Sequence, residues 1–135
     1  MKSEALESDA ELLAPARRMR ERAYAPYSGF SVGAALQARD GSIFGGANVE
    51  NASYGLSICA ERSAVVAAVA AGHRDFRAIA VAGPEQSVAA PCGACRQFLH
   101  EFNPRMTVIY TERDRVVATT LDRLLPDAFD PEDLS

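Results

Sequence analysis

The chain has 135 residues, one domain's worth, with 14 basic against 18 acidic side chains and a net charge of −4. No apolar run approaches the ~20 residues of a spanning helix, the start Met1 to Glu11 lacks a signal peptide's basic-then-apolar layout, and the charge argues against nucleic acid or an anionic membrane as partner. Apolar residues make up 48% of the chain, but 25 of them are alanine, so a thin core that gains from homo-oligomer packing is expected.

In chain order, residues 1–8 are expected to be disordered. Asp9 to Ala23 reads as a helix, with Ser8 and Glu11 as a capping box and Leu12, Leu13, Ala16, Met19 and Ala23 at helical spacing. Pro15 inside it predicts a kink or a later start. Arg17, Arg18, Arg20 and Arg22 read as a solvated face rather than a phosphate stripe. The arginine bias and the alanine excess read as compositional drift.

Phe30 to Ala38 and Ile43 to Val49 read as strands joined by the hairpin signal Asp40-Gly41. Asn48 to Ser57 is polar and turn-rich. Ile58 to Ala71 is helical, with Gly72 as its stop. Phe76 to Ala82 reads as a strand buried on both faces. Gly93 to Phe102 reads as a helix ended by Asn103-Pro104. Met106 to Tyr110 and Val116 to Thr120 read as strands, Leu121 to Leu125 as one helical turn, and Pro126 to Ser135 as an irregular acidic tail. This alternation predicts an α/β fold, a three-layer α-β-α sandwich with a mixed five-stranded sheet, as a single domain over 1–135.

All three cysteines fall at helix starts: Cys59 at one, Cys92 and Cys95 at another. A helix N-terminus favours thiolate over thiol, and thiolate is the metal-binding form. Cys92 and Cys95, three apart, share a face. Parallel strands can bring two helix starts to one sheet edge, so three sulfurs could converge on one Zn²⁺. His73 and His100 lie at the far ends of their helices, about 15 Å away for a ten-residue helix, so the fourth metal position is expected to be open. Glu61 is placed to move protons beside a zinc-bound water. Arg62 and Arg96 could offset the thiolate charge by bonding to sulfur.

Cys59-Ala60-Glu61-Arg62 followed by Pro91-Cys92-Gly93-Ala94-Cys95-Arg96-Gln97 resembles the zinc signature of the cytidine deaminase family. Three further segments resemble it in order. They are Tyr24-Ala25-Pro26-Tyr27-Ser28 with Phe30 to Leu36, Asn48 to Tyr54, and Leu124-Leu125-Pro126 through Phe129 to Leu134. Ala47 and Ser31 are mild departures, standing where many members carry cysteine and proline. The resemblance implies a cytoplasmic homotetramer of pyrimidine salvage with one Zn²⁺ per chain on Cys59, Cys92 and Cys95, and Glu61 as proton shuttle. It implies that Asn48 and Glu50 bond the ribose hydroxyls, that Phe30 stacks near the base, and that Ala60 contributes to the substrate site. Tyr54 would lie near the subunit junction, and Phe129 would reach into a neighbour's site.

The implied reaction is hydrolytic deamination of cytidine and deoxycytidine to uridine and deoxyuridine with release of ammonia. Zinc lowers the pKa of bound water, Glu61 takes its proton, hydroxide attacks C4, and Glu61 protonates N3 and then the leaving amine. Competing readings are a deaminase of a related cytosine nucleoside such as a blasticidin-type antibiotic, and a closed structural zinc module, which lacks a fourth ligand. A thiol redox site is a third, but it leaves Cys59 and Glu61 unexplained. Loop capping by Asn48 and Glu50, and core packing by Phe30, are the corresponding structural readings.

Overall fold

The computed structural model describes residues 2–134; Met1 and Ser135, the ends of the expected domain, lie outside them. It begins with β1 (Ser3–Glu4), α1 (Glu7–Ala10) and α2 (Leu13–Arg20). The helix expected over 9–23 is therefore two pieces. α1 starts after Leu6 with no side-chain cap bond, so the Ser8–Glu11 capping box does not form. α2 starts at Leu13, which puts Pro15 in its first turn, where a backbone N–H has no intrahelical acceptor to lose.

β2 (Gly33–Ala38) and β3 (Ile43–Ala47) form the expected hairpin, and in its turn the Ser42 N–H donates to Asp40 Oδ1 at 2.9 Å. α3 (Ala60–Ala70) stops before Gly72, whose φ of +95° suits a residue without a Cβ. Then come β4 (Phe76–Ala82), α4 (Gly93–His100), β5 (Thr107–Glu112), β6 (Arg115–Thr120) and α5 (Leu121–Leu124), with a 3-10 turn at Pro131–Leu134.

The sheet order is β1-β6-β5-β4-β2-β3, and only β4 and β5 are parallel. The sheet has six strands, not five. The extra one comes from the segment expected to be disordered: Ser3 pairs with Ala118 and Glu4 with Val117, and the Ala5 N–H donates to Val116 O at 3.1 Å. Two polar residues have no periodicity to announce a strand; backbone pairing to β6 makes it.

β4 shows how the layers are filled. Its Ala78, Ala80 and Ala82 face Leu12, Leu13 and Ala16 on the α2 side, together with Ala35 of β2. Its Ile79 and Val81 face the other way, into a core with Leu36, Ala64, Val65, Leu99 and Leu121. The alanine excess thus has a structural place: a face of small side chains lets α2 lie close, while the bulkier face receives α3, α4 and α5. β3 and α3 approach closer still. A Cβ at Gly46 would lie 2.4 Å from Ala60 O and from Ala64 N, so backbone meets backbone there.

This topology positions the site. β2 runs antiparallel to both β3 and β4, so those two run in the same direction. α3 follows β3 and α4 follows β4. Both helices therefore start at the same edge of the sheet.

Candidate active site

Cys59 is the N-cap of α3 and Cys92 the N-cap of α4, with Cys95 in the first turn of α4. The three sulfurs lie within 4.8 Å of one another, and Cys59 Sγ is 3.9 Å from Cys92 Sγ. Tetrahedral zinc with bonds of about 2.3 Å holds its sulfurs roughly 3.8 Å apart. The cluster fits that ion in spacing and in donor type. Among the described residues no histidine joins it: His73 meets Asp40 at 3.2 Å, and His100 faces Asp130 at 3.5 Å.

The electrostatics call for a cation at the same place. A hydrogen bond from Cys95, followed by one from Arg62, lowers the Cys59 thiol to about 5 despite its burial. Cys95 moves far the other way, because its proton is held by Cys59 and its surroundings are buried. Without a cation the cluster therefore keeps thiol and thiolate side by side; three thiolates together require a positive ion. Arg62 Nη2 donates to Cys59 Sγ at 3.3 Å. Arg96 is used differently: its Nε donates to Pro91 O at 2.7 Å and its Nη1 to Leu124 O at 2.9 Å. Of the two arginines expected to balance charge, Arg62 reaches sulfur and Arg96 ties α4 to the last residue of α5.

Glu61, 4% exposed, lines the same cavity as Cys59 and Cys92. Burial, reinforced by the Cys59 thiolate, raises its pKa above the ordinary carboxylate range. The cavity holds about 260 Å³ and opens past Ala60 to Phe30, Asn48 and Glu50. Backbone pairing sets the segment that carries Asn48 and Glu50. Val49 exchanges hydrogen bonds with Ile58 at 3.0 and 2.9 Å, next to Cys59. On its other side, the Tyr24 N–H donates to Asn48 O and the Glu50 N–H to Tyr24 O. The segment 48–50 is thus held beside the first cysteine.

Asn48 is partly committed. Its Oδ1 accepts from Val32 N–H at 2.8 Å and its Nδ2 donates to Phe30 O at 2.9 Å. One amide proton and one lone pair remain for a ligand. Glu50 accepts from Tyr27 N–H, Ser28 N–H and Ser28 Oγ. Both residues cap loops, both line the cavity, and both keep unused bonding capacity.

Two expected contacts lie outside this cavity. Tyr54, 75% exposed, stands in an adjoining pocket of about 290 Å³ with Tyr27, Ser28, Glu50 and Ser57. Phe129 is 56% exposed on the tail, and its carbonyl accepts from Gln97 Nε2 at 2.8 Å. Ser28 borders both pockets, and the sequence singled it out only as part of an opening motif. A larger groove, about 750 Å³, runs beside α2 past Arg18, Arg22 and Arg77. It lacks the cysteines and Glu61, and the chemistry lies with the smaller cavity.

Comparison with known proteins agrees with this geometry. Residues 6–111 match the family described as the cytidine and deoxycytidylate deaminase zinc-binding region. The chain is 48% identical over 127 residues to a cytidine deaminase from Sporosarcina psychrophila, covering 93% of each. It superposes on the crystal structure of a Burkholderia pseudomallei cytidine deaminase with a TM-score of 0.83 at 51% identity, covering 89% of this chain and 98% of that one. For a Mycobacterium tuberculosis cytidine deaminase the TM-score is 0.80 at 39% identity, covering 93% and 98%. The match spans most of the chain and includes both helix starts that bring the three cysteines together and the helix turn that carries the buried Glu61, so this chain belongs to the cytidine and deoxycytidylate deaminase zinc-binding family.

Proposed function

We propose that this chain, as one deaminase domain over residues 1–135, hydrolyses cytidine and deoxycytidine to uridine and deoxyuridine with release of ammonia. The observation that carries it is the buried Glu61 in one cavity with Cys59, Cys92, Asn48 and Glu50. Zinc on Cys59, Cys92 and Cys95, when bound, supplies a Lewis acid that makes water nucleophilic near neutral pH. Glu61 would take a proton from that water and deliver it to N3 of the ring, then take the second proton from the hydroxyl formed at C4 and deliver it to the departing amine. Burial favours its protonated form, which suits the delivery steps. Asn48 and Glu50 anchor the ribose, Phe30 and Ala60 line the base, and Arg62 offsets thiolate charge.

We further propose a homotetramer with shared sites, placed in the cytoplasm and serving pyrimidine salvage. Large apolar side chains stand open on one chain, among them Tyr27, Tyr54, Leu56, Val66 and Phe129. A second copy would cover them, with Tyr54 and Phe129 completing a neighbour's cavity. Three free thiols suit a reducing compartment. Among the described residues, no helix is long and apolar enough to cross a membrane.

The test combines metal analysis with turnover. Purified protein should carry one zinc per chain and convert both nucleosides with stoichiometric ammonia, sedimenting as a tetramer. Zinc without turnover would leave a structural module; zinc-free protein with a reversible dithiol would leave a redox site.

A further inference from the structure

We infer that Ser28 is a positioning residue for sugar recognition: its hydroxyl and backbone N–H aim the Glu50 carboxylate at the nucleoside's ribose hydroxyls. The inference rests on the proposed role of Glu50 in binding ribose.

Glutamate on an open loop has three rotatable side-chain bonds and no intrinsic reason to hold one direction. Among the described residues, no lysine or arginine pairs with Glu50. Its direction is set by a dipeptide. Tyr27 N–H and Ser28 N–H donate to Oε1 at 3.0 and 3.1 Å, and Ser28 Oγ donates to Oε2 at 2.5 Å.

The serine hydroxyl is itself oriented. Its oxygen accepts from Phe30 N–H at 3.0 Å, which occupies a lone pair and directs the hydroxyl proton toward Glu50. A carboxylate offers about four lone-pair sites. Three are filled, and the vacant one lies on Oε2, the oxygen that Ser28 holds. The Ser28 hydroxyl is also the largest influence keeping the Glu50 pKa below the ordinary carboxylate range, so the acceptor stays ionised. Phe30 has a second anchor, its carbonyl accepting from Asn48 Nδ2. Removing the serine hydroxyl should therefore free Glu50 far more than Phe30.

The test compares cytidine with 2′,3′-dideoxycytidine, which keeps the 5′-hydroxyl but lacks the 2′- and 3′-hydroxyls that would donate to Glu50. In Ser28→Ala, kcat/KM for cytidine should fall on the order of ten-fold, carried by KM. For the dideoxy analogue the change should stay within about two-fold on the same principle. Ser28→Thr, which keeps the hydroxyl, should restore the preference for cytidine. Equal losses on both substrates, an unchanged cytidine KM, or no rescue by threonine would each overturn the proposal and leave Ser28 a loop-closing residue.

A wild-type chain that turns over neither substrate would remove the deaminase reading without deciding this one. Calorimetry on Glu61→Gln protein then decides it. Adding Ser28→Ala should weaken binding of cytidine but not of the dideoxy analogue, and equal weakening overturns the proposal.

Discussion

Glu61 and Cys95 are 4% and 0% exposed on the first turns of two helices, whereas Phe30, Tyr54 and Phe129 stand 45%, 75% and 56% exposed on loops and the tail. One end of the site is closed around Glu61 and Cys95 on packed helices, although Cys92 is exposed. The other, which continues beyond the cavity to Tyr54 and Phe129, is held by hydrogen bonds between loops and left open. On the proposed function, the groups that move protons lie where a low dielectric can shift their protonation, and the groups that would recognise shape and hydroxyls lie where a substrate can enter. The contrast predicts different losses at the two ends.

The largest expected effect is at the closed end. Glu61→Gln should lose about 10²- to 10⁴-fold in turnover while keeping its zinc. Steady-state rates with metal analysis check this, and unaltered turnover would remove Glu61 from proton transfer. Next are the arginines, which look alike in sequence. Arg62→Ala should weaken zinc binding or activity by roughly 10- to 100-fold, since its guanidinium bonds a ligand sulfur. Arg96→Ala should instead cost about 1–3 kcal/mol of stability through two abandoned carbonyls, with zinc affinity little changed. Competition with a chelator and thermal melting separate the two.

At the open end the effects are smaller. Phe129→Ala should raise the KM for cytidine several-fold without touching zinc content, and the effect should depend on assembly. If dilution to monomers abolishes the difference between wild type and variant, Phe129 acts across a subunit boundary; a KM unmoved at any concentration would withdraw it from the site.

The smallest effect concerns stability. Because burial raises the folded pKa of Glu61, keeping an ionised carboxylate there opposes folding above its ordinary value of 4.5. Metal-free Glu61→Gln should therefore melt a few degrees above metal-free wild type at neutral pH. The gap should close as the pH falls below 4.5 and the unfolded carboxyl also takes a proton. A gap of the same size at both pH values would show that charge burial is not its cause.

The closed end was the more legible in sequence. Cys59, Glu61, Cys92 and Cys95 combine reactive side chains with helix-start signals, and local rules place each on its element. At the open end, Asn48 and Glu50 were readable as loop caps or as ribose contacts, and their side chains do cap loops while keeping spare bonding capacity. The role of Ser28 escaped because its bond to Glu50 spans 22 residues. β1 escaped because its pairing with β6 depends on backbone groups brought together from opposite ends of the chain. The arginine ambiguity had the same origin: two residues each beside a ligand differ only in where their long side chains turn.

The backbone contact at Gly46 has a consequence for the metal. At Gly46 the first turns of α3 rest on the backbone of β3, so their height above the sheet has no compressible spacer there. α3 brings one sulfur to the cluster and α4 brings two. The size of the sulfur triangle therefore depends on where α3 sits relative to α4 on the face of the sheet they share. A methyl group added at Gly46 would lift the start of α3 off β3 and be read out as zinc affinity, with every cysteine intact.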